Sequence, residues 1–137
     1  MNRAVRPLLG ALFLAAALGT AAELFLVEHT EDVWQVVPLV LLALGVMTVA
    51  VAWRWPSETA RRTVQGMMVL TILAGLMGLW LHYRANAEFE LEMYPALAGW
   101  DLFWKAIHGA SPPSLAPGAM FVLGGLGWIW SLTGEPT

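Results

Sequence analysis

Carboxylate and imidazole side chains are the groups in this sequence that could bind an ion or move a proton, and most of them lie in two polar stretches. In the first stretch three acidic residues are spaced i, i+3 and i+4, so one helical turn would place them on one face: Glu28, Glu31 and Asp32. The second stretch, "NAEFELEMYP" at residues 86–95, alternates acidic with apolar side chains. The three histidines are expected on the same side of the membrane as these stretches or at its edge: His29, His82 and His108. Carboxylates suit hard divalent cations, whereas imidazole with carboxylate suits a transition-metal ion.

A metal site would need ligands from both stretches, because alternate residues of an extended chain stand about 6.5–7 Å apart and cannot easily share one ion. The candidate ligands are Glu28, Glu31, His82 and Glu88. No HExxH and no EF-hand pattern supports such a site. The alternative is that these acidic side chains are solvated loop residues without a ligand.

Glu23 differs from the other acidic residues because it lies inside an apolar run. A carboxylate within a membrane span is costly unless it is paired, protonated or close to water. We expect it to pair with His82 or Arg84, and a proton or ion relay is the alternative role. His82 could also ligate haem, for which His29 is the candidate second ligand. A divalent cation and a haem are thus cofactors that the residue types allow, and the sequence requires neither.

The hydrophobicity of the chain predicts the elements that position these side chains. Hydrophobic residues make up 58% of the 137 residues and charged residues 12%, about half the charged share of a soluble domain. Four apolar segments are each long enough, at ~1.5 Å per residue, to cross a hydrocarbon core of ~30 Å as a helix. They cover residues 7–27, 36–53, 64–83 and 115–132. We therefore predict an all-α membrane protein, a four-transmembrane-helix bundle that forms a single domain over residues 1–137.

The first segment has a second interpretation. Arg3 and Arg6, the apolar run and then "TAA" at residues 20–22 together resemble a cleaved signal peptide. The apolar run continues past that cleavage site to Val27, which favours a retained span.

Positive charge predicts the orientation of the bundle, since loops on the cytoplasmic side of a membrane carry an excess of lysine and arginine. A cytoplasmic N-terminus places five of the seven basic residues inside: Arg3, Arg6, Arg54, Arg61 and Arg62. Both termini are then cytoplasmic, and we expect a multi-pass protein of the bacterial inner membrane. The short basic turn "RWPSETARR" suits anionic lipid headgroups on the same side.

The long connection between the third and fourth segments, residues 84–114, is predicted to cap the outer end of the bundle. We expect residues 86–95 to be extended, because their alternation puts the carboxylates on one side of a strand and leaves no single face on a helix. "PALAGWDLFWKAIHG" then forms a short amphipathic interfacial helix from Pro95 to Gly109, with Asp101 and Lys105 paired at i, i+4. The apolar residues of the cap are Phe89, Leu91, Met93, Trp100 and Trp104.

Small residues at regular spacing predict where helices approach closely within the membrane. They are Ala11, Ala15 and Gly19 in the first segment, Thr71, Ala74, Gly75 and Gly78 in the third, and Gly124, Gly125 and Gly127 in the fourth. Packing inside the bundle is the expected use, and contact with a partner subunit is the alternative.

Several functions are disfavoured by what the sequence lacks. The absence of cysteine excludes disulfides and thiolate chemistry, and a net charge of −3 offers no basic field for nucleic acid. No phosphate loop and no patterned nucleophile–base set occurs, so we expect a protein that is not an enzyme. The expected function is that of an accessory or structural subunit of a larger membrane complex. Its partners would be the lipid bilayer and other membrane-protein subunits or further copies of itself.

Two other functions remain open. The acidic, histidine-containing outer mouth could bind or transport a cation or small solute. The chain could instead be a redox subunit that binds haem, quinone or pigment between the helices. For haem the candidate ligand is His82.

Overall fold

The computed structural model describes residues 5–28, 32–109 and 116–134, and nearly all of them are helical. The helices are α1 (Val5–Leu26), α2 (Val33–Arg54), α3 (Glu58–Met93), α4 (Gly99–Ile107) and α5 (Ala116–Leu132). No strand occurs in these three ranges, so the predicted all-α class is confirmed. Helices α1, α2, α3 and α5 cover nearly all of the four predicted apolar segments, and α4 lies in the predicted cap.

Two of the long helices begin at residues that cap them. The Asp32 carboxylate accepts a hydrogen bond from the backbone N–H of Trp34, and Gln35 Oε1 accepts one from the backbone N–H of Asp32. Ser57 caps α3 in a similar way, with its Oγ 3.1 Å from the backbone nitrogen of Ala60. Each cap satisfies backbone donors that a helix start leaves without partners, and so stabilises its helix by about 1 kcal/mol.

Helices α1, α2, α3 and α5 form an antiparallel bundle in which α1 and α3 each pack against both α2 and α5. The opposite directions of α3 and α5 are shown by two contacts between them. Gly78 meets Pro117 near the start of α5, and Met68, ten residues earlier in α3, meets Gly127 further along α5.

The start of α1 and the ends of α2 and α5 lie together at one end of the bundle. The ring centroids of Trp53 and Trp130 lie 5.8 Å apart, and the guanidinium of Arg6 lies 4.9 Å from the centre of the Trp130 ring. The start of α3 borders the same place. We call this the inner end, and the opposite end, where Asp32 and His82 lie, the outer end.

Glycines allow the close approach of α3 to α5. A Cβ atom on Gly75 would lie 2.8 Å from the carbonyl oxygen of Pro117, and one on Gly124 would lie 2.9 Å from the carbonyl oxygen of Met68. Both distances are shorter than a Cβ atom tolerates, so the predicted use of small residues inside the bundle is confirmed at these positions. The α1 stripe is different, because its three small residues are exposed: Ala11, Ala15 and Gly19.

Helices α1, α2 and α3 are long and apolar enough to cross a membrane. Within their most apolar windows only 28%, 22% and 28% of the residues are buried in the bundle, so most of this apolar surface faces outward. Exposed side chains of this kind include Leu12, Leu44 and Leu73. Such continuous apolar surface favours association in water and is stable in lipid. The chain is therefore a helical membrane protein.

Helix α3 is the element that departs most from the prediction. It has 36 residues, so at ~1.5 Å per residue it is about 54 Å long, well beyond a ~30 Å hydrocarbon core. It continues through residues 84–93, and the prediction that residues 86–95 are extended is wrong. Most residues of 84–93 have high helix propensity, and Arg84 and Glu88 form an i, i+4 ion pair at 2.7 Å.

Backbone hydrogen bonding explains why the helix prevails over the period-two pattern. An extended segment needs a neighbouring strand to pair with its N–H and C=O groups, and none exists within the described ranges. A helix satisfies those groups within the segment itself. It ends at Met93 because Pro95 disfavours helical geometry at the residue before it.

The predicted interfacial helix is also shorter than expected. It begins at Gly99 rather than Pro95, and Gly99 has a φ of +58°, a left-handed conformation that glycine adopts without strain. Residues 94–98 form a turn instead, in which the backbone N–H of Leu97 donates to the carbonyl oxygen of Tyr94 at 3.0 Å. The helix ends at Ile107, close to the predicted end at Gly109.

Candidate functional site at the outer end

The outer part of α3, the turn after it and α4 form a unit that we call the outer hairpin, residues 84–109. Asn86 Nδ2 donates a hydrogen bond to the carbonyl oxygen of Ala106 at 2.9 Å, and Ala106 is fully buried. Lys105 Nζ lies 3.7 Å from Glu90 Oε2 and 3.7 Å from the centre of the Tyr94 ring. These contacts join α4 to α3 at several points and hold the hairpin in one arrangement.

Lys105 pairs with a different carboxylate from the one predicted. The expected partner was Asp101, and Glu90 of α3 takes that role in the structure. Only 18% of the Glu90 side chain is exposed, compared with 61% for Glu88. The Glu90–Lys105 pair therefore lies between the two helices, where water screens it less than a pair on the surface.

Six aromatic rings form a continuous ladder that begins at the outer end of the apolar part of α3 and follows α4. In order along the ladder they are Trp80, Tyr83, Phe103, Trp100, Trp104 and His108. Successive ring centroids are 6.1, 5.8, 5.0, 6.0 and 4.5 Å apart, distances at which aromatic pairs are stabilised beyond their buried area. Sequence reasoning missed the ladder, because the contact that connects its α3 rings to its α4 rings joins Tyr83 to Phe103, twenty residues further along the chain.

The five predicted cap residues are each more than a third exposed, and Trp100 is the most exposed at 70%. They do not form one apolar face. On a helix, Phe89 and Met93 share a side, whereas Leu91 lies about 200° around the axis from Phe89. Trp100 and Trp104 belong to α4 and stack on each other at 6.0 Å. The outer hairpin thus presents apolar side chains in more than one direction.

The three alternating carboxylates of α3 are dispersed in the same way. Glu88 binds Arg84, and that side-chain hydrogen bond raises the pKa of the Arg84 guanidinium. Glu90 faces α4, and Glu92 is exposed. With four acidic and two basic side chains, the outer hairpin carries a net charge of −2 when its histidine is neutral.

A cavity of about 320 Å³ opens at the outer end among α1, α2, α3 and α5, and we call it the outer cavity. Among the residues that the structure describes, three with polar side chains border it: Asp32, Gln35 and His82. Most of the other lining residues are apolar and include Leu24, Pro38, Ala74, Leu81 and Met120. The volume lies within the range of small-ligand pockets, about 300–1,000 Å³. An imidazole and a carboxylate therefore border one space large enough for a small solute.

The predicted metal ligands are not assembled into one site in the part of the chain that the structure describes. His82 borders the outer cavity, whereas Glu88 lies six residues further along α3, about 9 Å along the helix axis, and is paired with an arginine. Glu28 is exposed two residues after the end of α1, and Glu31 lies outside the described residues. Over the described ranges, no three histidine, aspartate or glutamate side chains come close enough to hold one ion. With Glu31 undescribed, the metal site stays a prediction.

Glu23 is exposed on α1, three residues before the helix ends. The prediction that Glu23 pairs with Arg84 is wrong, because Arg84 binds Glu88. Within the described chain, no ion pair of 4 Å or less joins Glu23 to a lysine or an arginine. Its position near the helix end allows the carboxylate to extend toward the membrane surface and water.

Comparison of the chain with protein-family models finds no match, and none is found among curated protein sequences or solved structures. The outer hairpin and the outer cavity are therefore the features on which a functional proposal rests.

Proposed function

We propose that this protein is a non-enzymatic subunit of a larger membrane complex, embedded in the inner membrane of a bacterium by four spans. The observation that carries the proposal is the outer hairpin. It is held together by its own hydrogen bond and ion pair, yet it exposes large apolar side chains beyond the apolar part of α3, above all Trp100 and Trp104. Exposed aromatic side chains on a rigid support are typical anchors of protein interfaces.

The position of α5 supports a fourth span. At 17 residues it is about 26 Å long, close to the ~30 Å thickness of a hydrocarbon core. It runs beside α3 from Pro117, next to Gly78, to Trp130 at the inner end, and so covers the depth of the apolar part of α3. The arginines that collect at the inner end favour a cytoplasmic location for it, with the outer hairpin on the opposite side.

The partner that fits the outer hairpin has an apolar patch bordered by basic groups. The net charge of −2 on the hairpin favours such a partner and disfavours an acidic one. Because the hairpin is already held in one arrangement, little conformational entropy is lost when it binds. Within the membrane, the exposed α1 stripe of Ala11, Ala15 and Gly19 offers a second contact, since small residues let a neighbouring helix approach closely.

Native mass spectrometry after gentle solubilisation tests this proposal. We expect the chain in a complex heavier than its own 14.9 kDa. The double variant Trp100→Ala/Trp104→Ala should lose the partner, because it removes the two aromatic anchors of α4. Trp55→Ala is the matched control, since Trp55 is exposed to a similar extent at the inner end. Recovery of the unsubstituted chain as a lone 14.9 kDa species in several mild detergents would contradict the proposal.

A second candidate function is the binding of a cation or small polar solute in the outer cavity, and the presence of Asp32 and His82 on one cavity favours it. Asp32→Asn removes the charge and keeps the helix cap, because asparagine caps as well as aspartate. We expect a divalent cation to raise the thermal midpoint of the unsubstituted protein but not that of Asp32→Asn or His82→Gln. A purified protein without metal, whose midpoint no divalent ion shifts, would rule out cation binding.

A further inference from the structure

Arg6 and Trp130 lie together at the inner end, and each has a buried polar atom without a hydrogen-bond partner. The Arg6 guanidinium lies 4.9 Å from the centre of the Trp130 ring. Arg6 Nε and Trp130 Nε1 are both buried and have no acceptor among the described residues. No carboxylate of those residues forms an ion pair with Arg6. A partly buried guanidinium without a counter-ion is costly, so this end of the bundle favours a bound anion.

A narrow groove beside Arg6 is bordered by further hydrogen-bond donors. Ser57 lines it, and because Ser57 Oγ accepts a hydrogen bond from the first turn of α3, its hydroxyl hydrogen is left for another acceptor. Arg61 also lines it, binds Glu58 through Nε and Nη2, and keeps its Nη1 donors. The backbone N–H groups at the start of α3 add partial positive charge.

The size of the groove decides where an anion can sit. It encloses about 20 Å³, which is room for one water molecule and not for a phosphate group. A phosphate would therefore sit at its mouth, at the inner surface, where the headgroups of a bilayer lie. Within the described residues the inner end carries four arginines and one carboxylate, a net charge of +3 that attracts anionic headgroups: Arg6, Arg54, Arg61, Arg62 and Glu58.

A second, largely apolar groove starts at the same place and follows the outside of the bundle between α2 and α3. It has a volume of about 440 Å³ and is lined by residues that include Leu44, Met47, Val51 and Ala60. Ser57 borders both grooves. The stretch of α2 from Leu44 to its end at Arg54 is about 15 Å long, a length that suits part of an acyl chain. A free phosphate would use only the donors, whereas a phospholipid would use both grooves.

We propose that an anionic phospholipid binds at the inner end, with its phosphate at Arg6, Arg61 and Ser57 and one acyl chain in the groove between α2 and α3. The phosphate supplies the counter-ion that Arg6 lacks within the described chain. Because Arg6 belongs to α1 and the other two residues lie at the start of α3, the lipid links two helices that pack mainly through α2 and α5.

Native mass spectrometry of the detergent-purified full chain, titrated with phosphatidylglycerol or phosphatidylcholine, tests the headgroup site. We expect phosphatidylglycerol to bind at least about tenfold more tightly than phosphatidylcholine, and Arg6→Gln to weaken its binding about tenfold. Arg62→Gln is the matched control, because it removes the same charge from a side chain that is 75% exposed. Equal affinity for the two lipids, or an equal loss in the two variants, would overturn the proposal.

Ser57→Asp keeps the test decisive if Arg6→Gln fails to fold. Aspartate caps a helix as well as serine does, but it places a negative charge where the phosphate would lie. We expect this variant to keep its helix content and to lose phosphatidylglycerol, and retained binding would overturn the proposal. Phosphatidylglycerol with six-carbon chains and inorganic phosphate test the acyl groove. If either competes with the long-chain lipid at equal concentration, the site binds anions without the groove and the lipid assignment is wrong.

Discussion

Replacing Gly75 with alanine tests the close packing of α3 on α5. The new Cβ atom would lie 2.8 Å from the carbonyl oxygen of Pro117 and 2.9 Å from the backbone nitrogen of Phe121. Both are backbone atoms of α5, so neither can rotate away as the end of a flexible side chain would. The two helices must therefore separate by several tenths of an ångström, and the side chains packed beside Gly75 lose contact with each other.

The expected change in stability follows from two opposing effects. Overpacking costs about 1–3 kcal/mol, and two backbone clashes put this site in the upper half of that range. Alanine has a higher helix propensity than glycine by about 1 kcal/mol, which offsets part of the cost. We therefore expect Gly75→Ala to lower the free energy of unfolding by about 1–2 kcal/mol, a fall of roughly five- to thirtyfold in the ratio of folded to unfolded protein.

Gly66→Ala in the same helix is the matched control, because no atom outside its own helix turn lies within 4 Å of the added Cβ. It should be neutral, or more stable by up to about 1 kcal/mol. Circular dichroism during titration of detergent micelles with sodium dodecyl sulfate would measure the unfolding of both variants. If Gly75→Ala proves as stable as Gly66→Ala, α3 and α5 do not approach as closely as the glycine contacts require, and the reasoning is refuted.

Three further substitutions test the outer hairpin, the start of α3 and the orientation. Asn86→Ala removes the hydrogen bond to α4, so amide hydrogen exchange in α4 should become about tenfold faster. Glu92→Ala, at an exposed position, is the control and should leave the exchange rate unchanged. Equal exchange rates in the two variants would contradict a hairpin that this hydrogen bond holds together. At the start of α3, hydrogen bonds from Arg61 and Arg62 lower the pKa of Glu58 from 4.5 to about 2. Because the folded-state pKa is depressed, the stability that the ionised Glu58 carboxylate contributes is complete above pH 4.5 and is lost as the pH falls toward 2. The difference in thermal midpoint between the unsubstituted protein and Glu58→Gln should therefore shrink between pH 4.5 and pH 2. A difference that stays constant over this range would contradict the stabilising role of Glu58. Since the chain has no cysteine, single-cysteine variants show on which side of the membrane a residue lies. Phe89→Cys should react with an impermeant maleimide on intact spheroplasts, and Trp55→Cys only after lysis. The reverse pattern would contradict the proposed orientation.

The membrane class and the positions of the helices could be predicted from the sequence because both depend on properties of continuous segments. Hydrophobicity adds up along a helix, so the apolar segments identify the helices whatever their neighbours are. Capping is also local, and Asp32 and Ser57 stand directly before the helices that they cap. The spacing of small residues predicted only some of the positions at which helices pack closely. It identified Gly75 and Gly124 as packing positions, but it could not show that the matching stripe of α1 is exposed.

Residues 86–95 show where a local pattern is insufficient. Their alternation of acidic and apolar side chains fits a strand, and their helix propensity fits a helix, so the pattern alone allows both. The outcome depended on neighbours, because a strand requires another strand to pair with its backbone. The neighbour in the structure is α4, which binds two side chains of α3 through the Asn86 hydrogen bond and the Glu90–Lys105 ion pair.

The sequence by itself determined a membrane-embedded all-helical chain with an apolar, acidic segment beyond its third span. Only the tertiary structure decided which residues of that segment meet. The partner of Lys105, the contact of Tyr83 with Phe103 and the location of His82 beside the outer cavity all depend on the direction in which the chain returns after Met93. That direction is a property of the turn and of the packing between helices. Contacts between residues far apart in the chain leave no periodic signal in the sequence, whereas hydrophobic segments do.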